Sequence, residues 1–180
     1  AYPASRELCA IGGIVSNNSG GELNLRYGKT EKHVRALDVV LSDGTKAHIE
    51  PISLEKLAQK EKEQTFEGRI YREIHHLIEA NIDEIEKARP NVTKNSAGYA
   101  LWNVLDRDKS TFDLTQLIIG SQGTLSLVTE AKLALVKPKS NRAMLVIFMS
   151  DLSILPEIVH RVLKFEPESF ESYDDKTFSL

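Results

Sequence analysis

Apolar and polar residues alternate along 34–41, where the β-branched Val34, Val39 and Val40 stand with Leu37 and Leu41. That period of two predicts a strand. Ser42, Asp43, Gly44 and Thr45 come next as the signal for a two-residue hairpin turn, and 47–52 returns as the partner strand. The period then lengthens. Ile70, Ile74, Leu77, Ile78, Ile82 and Ile85 recur at three- and four-residue spacing, which is one face of an amphipathic helix that Pro90 closes. Ahead of it, Ser53 is the N-cap of a helix through Leu54, Leu57 and Ala58, and Gly68 is expected to break the run.

The flanks obey the same logic. Residues 1–7 read as extended or loop, because Pro3 biases Tyr2 away from the helical region, and 9–17 reads as a short helix. Asp106 to Ser110 is a polar surface loop. Asp113 caps a short helix through Ile118 that Gly120 ends. A strand over 125–136 is stopped by Pro138, and 144–149 is a second, nearly all-apolar strand. The last helix, 155–165, carries Ile158, Val159, Val162 and Leu163 on its inner face. The class is α+β, with antiparallel strands packed by helices.

The charged residues that fill the gaps over 60–86 form a solvated helical face. His75 and His76 are adjacent, so on a helix their side chains diverge by about 100° and cannot clamp one metal ion. No metal site is expected. Trp102 reads as core rather than as a stacking platform. With 180 residues the chain makes one domain, or one domain and a piece of its neighbour. A hydrophobic share of 41% and a charged share of 27% are ordinary for a globular protein. The net charge of −3 gives nucleic acid no basic footprint. A single cysteine, Cys9, leaves no internal disulfide and suits a reducing cytosol. No apolar run approaches the roughly 20 residues of a membrane-spanning helix. The chain opens on Ala1 without an initiator Met and reaches its most informative stretch at Ile11, as an excised piece would.

That stretch is IGGIVSNNSGG over 11–21, continued by LRYG over 25–28. Glycine-rich backbone can lie against a ligand and offer its N–H groups, as sites for diphosphates and flat heterocycles do, and a solvated turn has the same composition. A further run, LIIGSQGTLSLVTEA over 117–131, changes the weight of the first. With LDVVLSDG over 37–44 and KNSAGYAL over 94–101, the chain carries four ordered motifs across most of its length.

In that order they resemble the FAD-linked oxidase family, of vanillyl-alcohol oxidase and p-cresol methylhydroxylase type. The nearest branch is that of flavin D-lactate dehydrogenases, glycolate oxidase flavin subunits and D-2-hydroxyglutarate dehydrogenases. The resemblance implies the second subdomain of a PCMH-type FAD-binding domain over 1–138, with 53–90 as a helical insertion. Residues 139–180 would end that domain and begin the substrate or cap domain. By the same resemblance Ile11, Gly12 and Gly13 line the flavin diphosphate and ribityl chain, and Asn18, Gly20 and Gly21 sit near the ribityl or isoalloxazine portion. Gly123, Leu127 and Val128 present main chain to the adenine or the ring edge. Ser126 stands where the family has glycine, and Gln122 where it has glutamate.

The implied reaction is oxidation of a 2-hydroxy acid of D-lactate or glycolate type, with FAD as hydride acceptor. Arg26 and Lys94 are the cations inside family motifs and the candidates for substrate or flavin contact. The family's GGGTS-like diphosphate loop, metal-binding His pair and catalytic His have no counterpart in these residues, so the chain alone is expected to be inactive. Its partners would be FAD, the hydroxy acid and the remaining domains of a parent chain, cytoplasmic or attached peripherally to a membrane. Two alternatives stand beside this reading: a non-catalytic interaction module with the same fold, and a flavin oxidase acting on alcohols, amines or sugars.

Overall fold

The buried face of 34–40 organises the larger of two small sheets in the computed structural model, which describes residues 3–92 and 94–177. Strand β1 (Val34–Val40) buries Val34, Ala36, Leu37 and Val39. It lies between β2 (Lys46–Ile49) and a late strand, Leu127–Leu133, antiparallel to both, with Leu37 opposite Ile49 on one side and Ala131 on the other. The turn between β1 and β2 differs from expectation. The Leu41 N–H donates to the Thr45 carbonyl and the Gly44 N–H to that of Leu41, both at 2.9 Å, enclosing three residues rather than two. Gly44 takes φ +84°, the left-handed position that this longer loop reserves for glycine.

The return strand is also shorter than 47–52. Pro51 has no N–H to continue the ladder, and the chain passes to a second sheet. There β3 (Ile52–Ser53) pairs with Thr111–Phe112, which pairs in turn with β4 (Leu105–Asp106). The expected loop over 106–110 is therefore the turn of a hairpin, closed by β5 (Thr111–Phe112).

Before the first sheet lie α1 (Ile11–Ser16) and α2 (Asn24–Tyr27). Helix α3 (Leu54–Lys60) starts where Ser53 Oγ accepts from the Lys56 N–H at 3.3 Å. Helix α4 (Phe66–Ala80) starts where Thr65 Oγ1 accepts from the Gly68 N–H at 3.0 Å. Gly68 thus opens the second helix instead of breaking the first. It sits where a Cβ would come within 2.6 Å of the Glu63 carbonyl oxygen and 2.8 Å of that of Lys60. Asn81 separates α4 from α5 (Ile82–Ala88). Tyr71, Ile78 and Ile85 point inward, while Leu77 stays 42% exposed.

These helices share one core with the sheets. Leu57, Tyr71, Ile78 and Ile85 pack with Val15, Leu37, Val104, Phe112 and Ile118, and the rings of Tyr71 and Phe112 are 5.9 Å apart. Trp102 is partly buried against that cluster, as expected. Helix α6 (Thr115–Ile118) is held at its start by Asp113, whose Oδ1 accepts from the Thr115 N–H at 2.9 Å and its hydroxyl at 2.6 Å. Gly120, at φ +81°, ends it, and β6 (Leu127–Leu133) comes next.

Beyond β6 the apolar pattern stops matching the structure. The expected strand over 144–149 does not form: Met144 is 87% exposed and Phe148 93%, with no described strand edge beside them. Helix α7 (Leu155–Leu163) ends before 165, and its Ile158, Val159 and Val162 are only half-buried. Both need a second layer that the described residues do not provide. The run-in at residues 1–2 and the tail's last three residues, 178–180, lie outside the described residues, and 169–177 contains no strand.

Candidate functional site

Helix α1 buries Val15 and turns Ile11, Gly12 and Gly13 outward. Among the described residues, nothing beyond the helix's own backbone and the adjoining residues lies within 4 Å of a Cβ built at Gly12 or Gly13. Glycine inside a helix is less stable than alanine by roughly 1 kcal/mol. Nothing among the described residues requires glycine at these two positions.

The helix runs into a tight segment. Asn18 is buried in the left-handed region at φ +46°. Its Oδ1 accepts from the Glu31 N–H at 3.1 Å, and its Nδ2 donates to the Glu31 carboxylate. Thr30 Oγ1 donates to the Ser19 carbonyl at 2.8 Å, and the Gly21 N–H donates to Asn24 Oδ1 at 2.9 Å. Gly20 lies so close to the Asn24 side chain that a Cβ would fall 2.2 Å from its Nδ2.

The second glycine-rich run docks onto this end of α1. The Gly120 N–H donates to the Val15 carbonyl at 3.0 Å and the Gln122 N–H to that of Ser16 at 2.9 Å. Gln122 Nε2 donates to Asn17 Oδ1 at 2.9 Å. This bond uses the amide that Gln122 carries where the resembling family has a carboxylate. Gln122 and Gly123 are both left-handed, at φ +55° and +75°. Gly123 is open to solvent, Leu127 exposes its side chain, and Val128 packs on the core. Ser126 is buried, and its Oγ has no partner among the described residues.

The third motif closes the ring. Asn95 offers its carbonyl to Lys29 Nζ, and Tyr99 OH pairs with Thr124 Oγ1 at 2.8 Å. Asn18, Lys29, Glu31, Asn95, Trp102 and Gly120 line a polar cavity of about 170 Å³ between the three motifs. Lys94 is exposed on the rim loop. Arg26 is elsewhere: its guanidinium pairs with Glu166 at 3.0 Å, while Tyr27 OH donates to Glu168 at 2.7 Å and Arg142 meets the same carboxylate at 3.3 Å. The Glu168 carboxylate beside Tyr27 raises the phenol's pKa by accepting its proton in a hydrogen bond. The RYG run therefore holds the C-terminal segment.

Sequence reasoning missed Lys29. Its signal was only its place directly after RYG, since a lysine is ordinarily solvated and its burial depends on partners far along the chain. His33 was missed for the same reason: its Nε2 donates to the Tyr27 carbonyl at 2.9 Å, and burial pushes its pKa below the usual imidazole value. His75 pairs with Glu61 at 2.7 Å, and no group of three His, Cys, Asp or Glu suited to a metal occurs among the described residues.

Comparison with known proteins bears on this geometry. A family model described as "FAD binding domain" matches residues 1–50. The D-2-hydroxyglutarate dehydrogenase of Escherichia coli is 31% identical over 171 residues, covering 94% of this chain and 17% of that protein. The chain belongs to the FAD-linked oxidase family. Other members agree across most of the chain. Glycolate oxidase subunit GlcD of Bacillus subtilis is 27% identical over 97% of this chain and 27% of its own length. The D-2-hydroxyglutarate–pyruvate transhydrogenase DLD3 of Saccharomyces cerevisiae is 29% identical over 77% of this chain and 18% of its own. Among the relatives it matches, the chain spans between 14% and 28% of their length. The motif segments at 11–21, 94–101 and 117–131 are the ones that the fold brings together beside the cavity, while 25–28 turns to the C-terminal segment. No described helix is long and apolar enough to cross a membrane.

Proposed function

We propose that this chain forms one side of a split FAD site in an oxidoreductase acting on 2-hydroxy acids. The observation that carries the reading is the pair of backbone bonds from Gly120 to Val15 and from Gln122 to Ser16. They fuse two glycine-rich runs about a hundred residues apart into one surface. Gly12, Gly13 and Gly123 then leave room for a cofactor backbone that a side chain would fill. Ile11 and the main chain of Gly12 and Gly13 take the diphosphate and ribityl side. Asn18, Gly20 and Gly21 shape the segment beneath. Gly123, Ser126, Leu127 and Val128 border the adenine or ring edge.

When bound, FAD supplies the acceptor for a hydride from the carbon that bears the substrate hydroxyl. The chain's own contribution is placement. Lys94, exposed on its loop, is the cation for the substrate carboxylate; Arg26 would have to release Glu166 to serve. On this reading 1–138 is the second FAD-binding subdomain and 139–180 leads into the substrate domain. The diphosphate-cradling loop and the catalytic base come from parts of the relatives' length that this chain does not span.

The test is an FAD titration of the chain beside a longer form that adds the flanking residues its relatives possess, and then dye-linked oxidation of D-2-hydroxyglutarate, glycolate and D-lactate. Tight flavin binding only by the longer form, with turnover of at least one acid, is expected. Flavin binding by neither form would shift the reading to a non-catalytic module.

A further inference from the structure

Lys29 is only 4% exposed and lies outside the stretches that carry the family resemblance. Its Nζ donates to the Asn95 carbonyl, 3.5 Å from Ser96 Oγ and 3.4 Å from Glu31 Oε2. Taking an ammonium group out of water costs several kcal/mol, and one carboxylate seldom returns it. The partners extend further. Glu31 is gripped by Asn18 through both its backbone and its carboxylate, and Asn18 packs so closely under Gly120 that a Cβ built there would lie 3.2 Å from the Asn18 Cβ, inside ordinary contact. A continuous path of contacts thus runs from the 120–123 turn through Asn18, Glu31 and Lys29 to the loop 94–99. Apart from half-buried Asn95, the residues of that loop are exposed.

We propose that Lys29 is a positioning residue: its ammonium group pins the loop 94–99 to the cofactor face, so that Lys94 on that loop meets the substrate carboxylate. The inference rests on the functional reading above. The two lysines have separate tasks. Lys29, enclosed and neutralised by Glu31, holds; Lys94, exposed, binds.

The test combines Lys29→Met with Glu31→Gln, so that neither charge is left buried and unpaired. It is set beside Lys29→Arg and Lys94→Ala in the FAD-loaded longer form. Amide hydrogen exchange at 96–98 is measured there and in the 180-residue chain. In the double variant, exchange at 96–98 should rise about tenfold and KM for the hydroxy acid about tenfold, with kcat within about threefold and FAD content unchanged. Lys29→Arg should restore most of both, and adding Lys94→Ala to the double variant should raise KM no further, because the two changes act on one contact. Unaltered exchange at 96–98 with turnover intact, or KM effects that multiply as independent ones, would overturn the role of Lys29. Turnover of none of the three acids by the wild-type holoprotein would instead overturn the functional reading, and the substrate half of this proposal with it. If the double variant does not fold, the wild-type chain decides. Amides at 96–98 exchanging as fast as those of exposed 144–148 would overturn the proposal, and slower exchange would support it.

Discussion

Two helical glycines show how a single residue type serves opposite ends. Gly68 is required by its neighbours: a methyl group there would press on two backbone oxygens, which cannot rotate away. Gly68→Ala should lower stability by roughly 1–3 kcal/mol, read as a lower urea midpoint at unchanged slope. Gly13 is required by nothing among the described residues, so Gly13→Ala should raise stability by roughly 0.5–1 kcal/mol through helix propensity. The same change in the flavin-loaded longer form should weaken FAD retention, and Gly13→Val should abolish it while leaving the fold. Flavin occupancy unchanged in Gly13→Val would remove α1 from the cofactor site. His33 gives a further residue-scale expectation. Its folded pKa is held down by burial, so its contribution to stability is full above the ordinary imidazole value near 6.5 and is lost as pH falls toward the depressed one. His33→Gln should therefore flatten the decline of Tm below about pH 6.5 relative to wild type.

At the scale of elements, the helices over 54–88 are part of the core whether or not they arose as an insertion. Ile78 is fully enclosed and Tyr71 tilts against Phe112. Ile78→Ala should cost roughly 2–5 kcal/mol. Replacing 54–88 with a Gly/Ser bridge should abolish the cooperative melting transition, because it would strip one side from Phe112 and Val104; a bridged chain that still melts sharply would show the sheets to be self-sufficient. The elements were legible where local chemistry decided them. Ser53 announced α3 by the oxygen that caps it, and Asp113 stands one residue ahead of the α6 cap with its carboxylate on the Thr115 N–H, while the strand over 34–40 formed with a register irregularity that buries Ala36 and Leu37 side by side. The errors came where distant partners decided. Counting only Ile and Leu hid Tyr71, whose hydroxyl-bearing ring is buried by the β5 hairpin, and made Leu77 a core residue. Gly68 looked like a helix breaker because its crowding comes from the preceding turn. The candidate site divides in the same way: the runs at 11–21 and 117–131 stood out by their glycines, and the fold joins them through backbone bonds, whereas Lys29 became visible only when 29 and 95 were brought together.

For the whole molecule, the apolar pattern and the packing part company after β6. The core cluster and the hydrophobic residues packed against it end at Leu133. The C-terminal segment meets the rest through charged and hydroxyl groups, Arg26 on Glu166 and Tyr27 on Glu168. Exposed pairs of the Arg26–Glu166 kind are worth about 0–1 kcal/mol. Truncation is tolerated where the removed backbone is neither buried nor hydrogen-bonded into the core. Ending the chain after Pro138 should therefore shift Tm by no more than a few degrees, even though it removes a run as apolar as 144–148. It should also reduce binding of a hydrophobic dye, since Met144 and Phe148 are among the most exposed apolar side chains in the molecule. In the longer form the same run should gain protection from hydrogen exchange, because an exposed apolar stretch of this length fits a strand awaiting a neighbour from the rest of the protein. A truncated chain that loses its cooperative transition would mean that 139–180 stabilises the core through contacts stronger than these ion pairs, and that the boundary near 138 is misplaced.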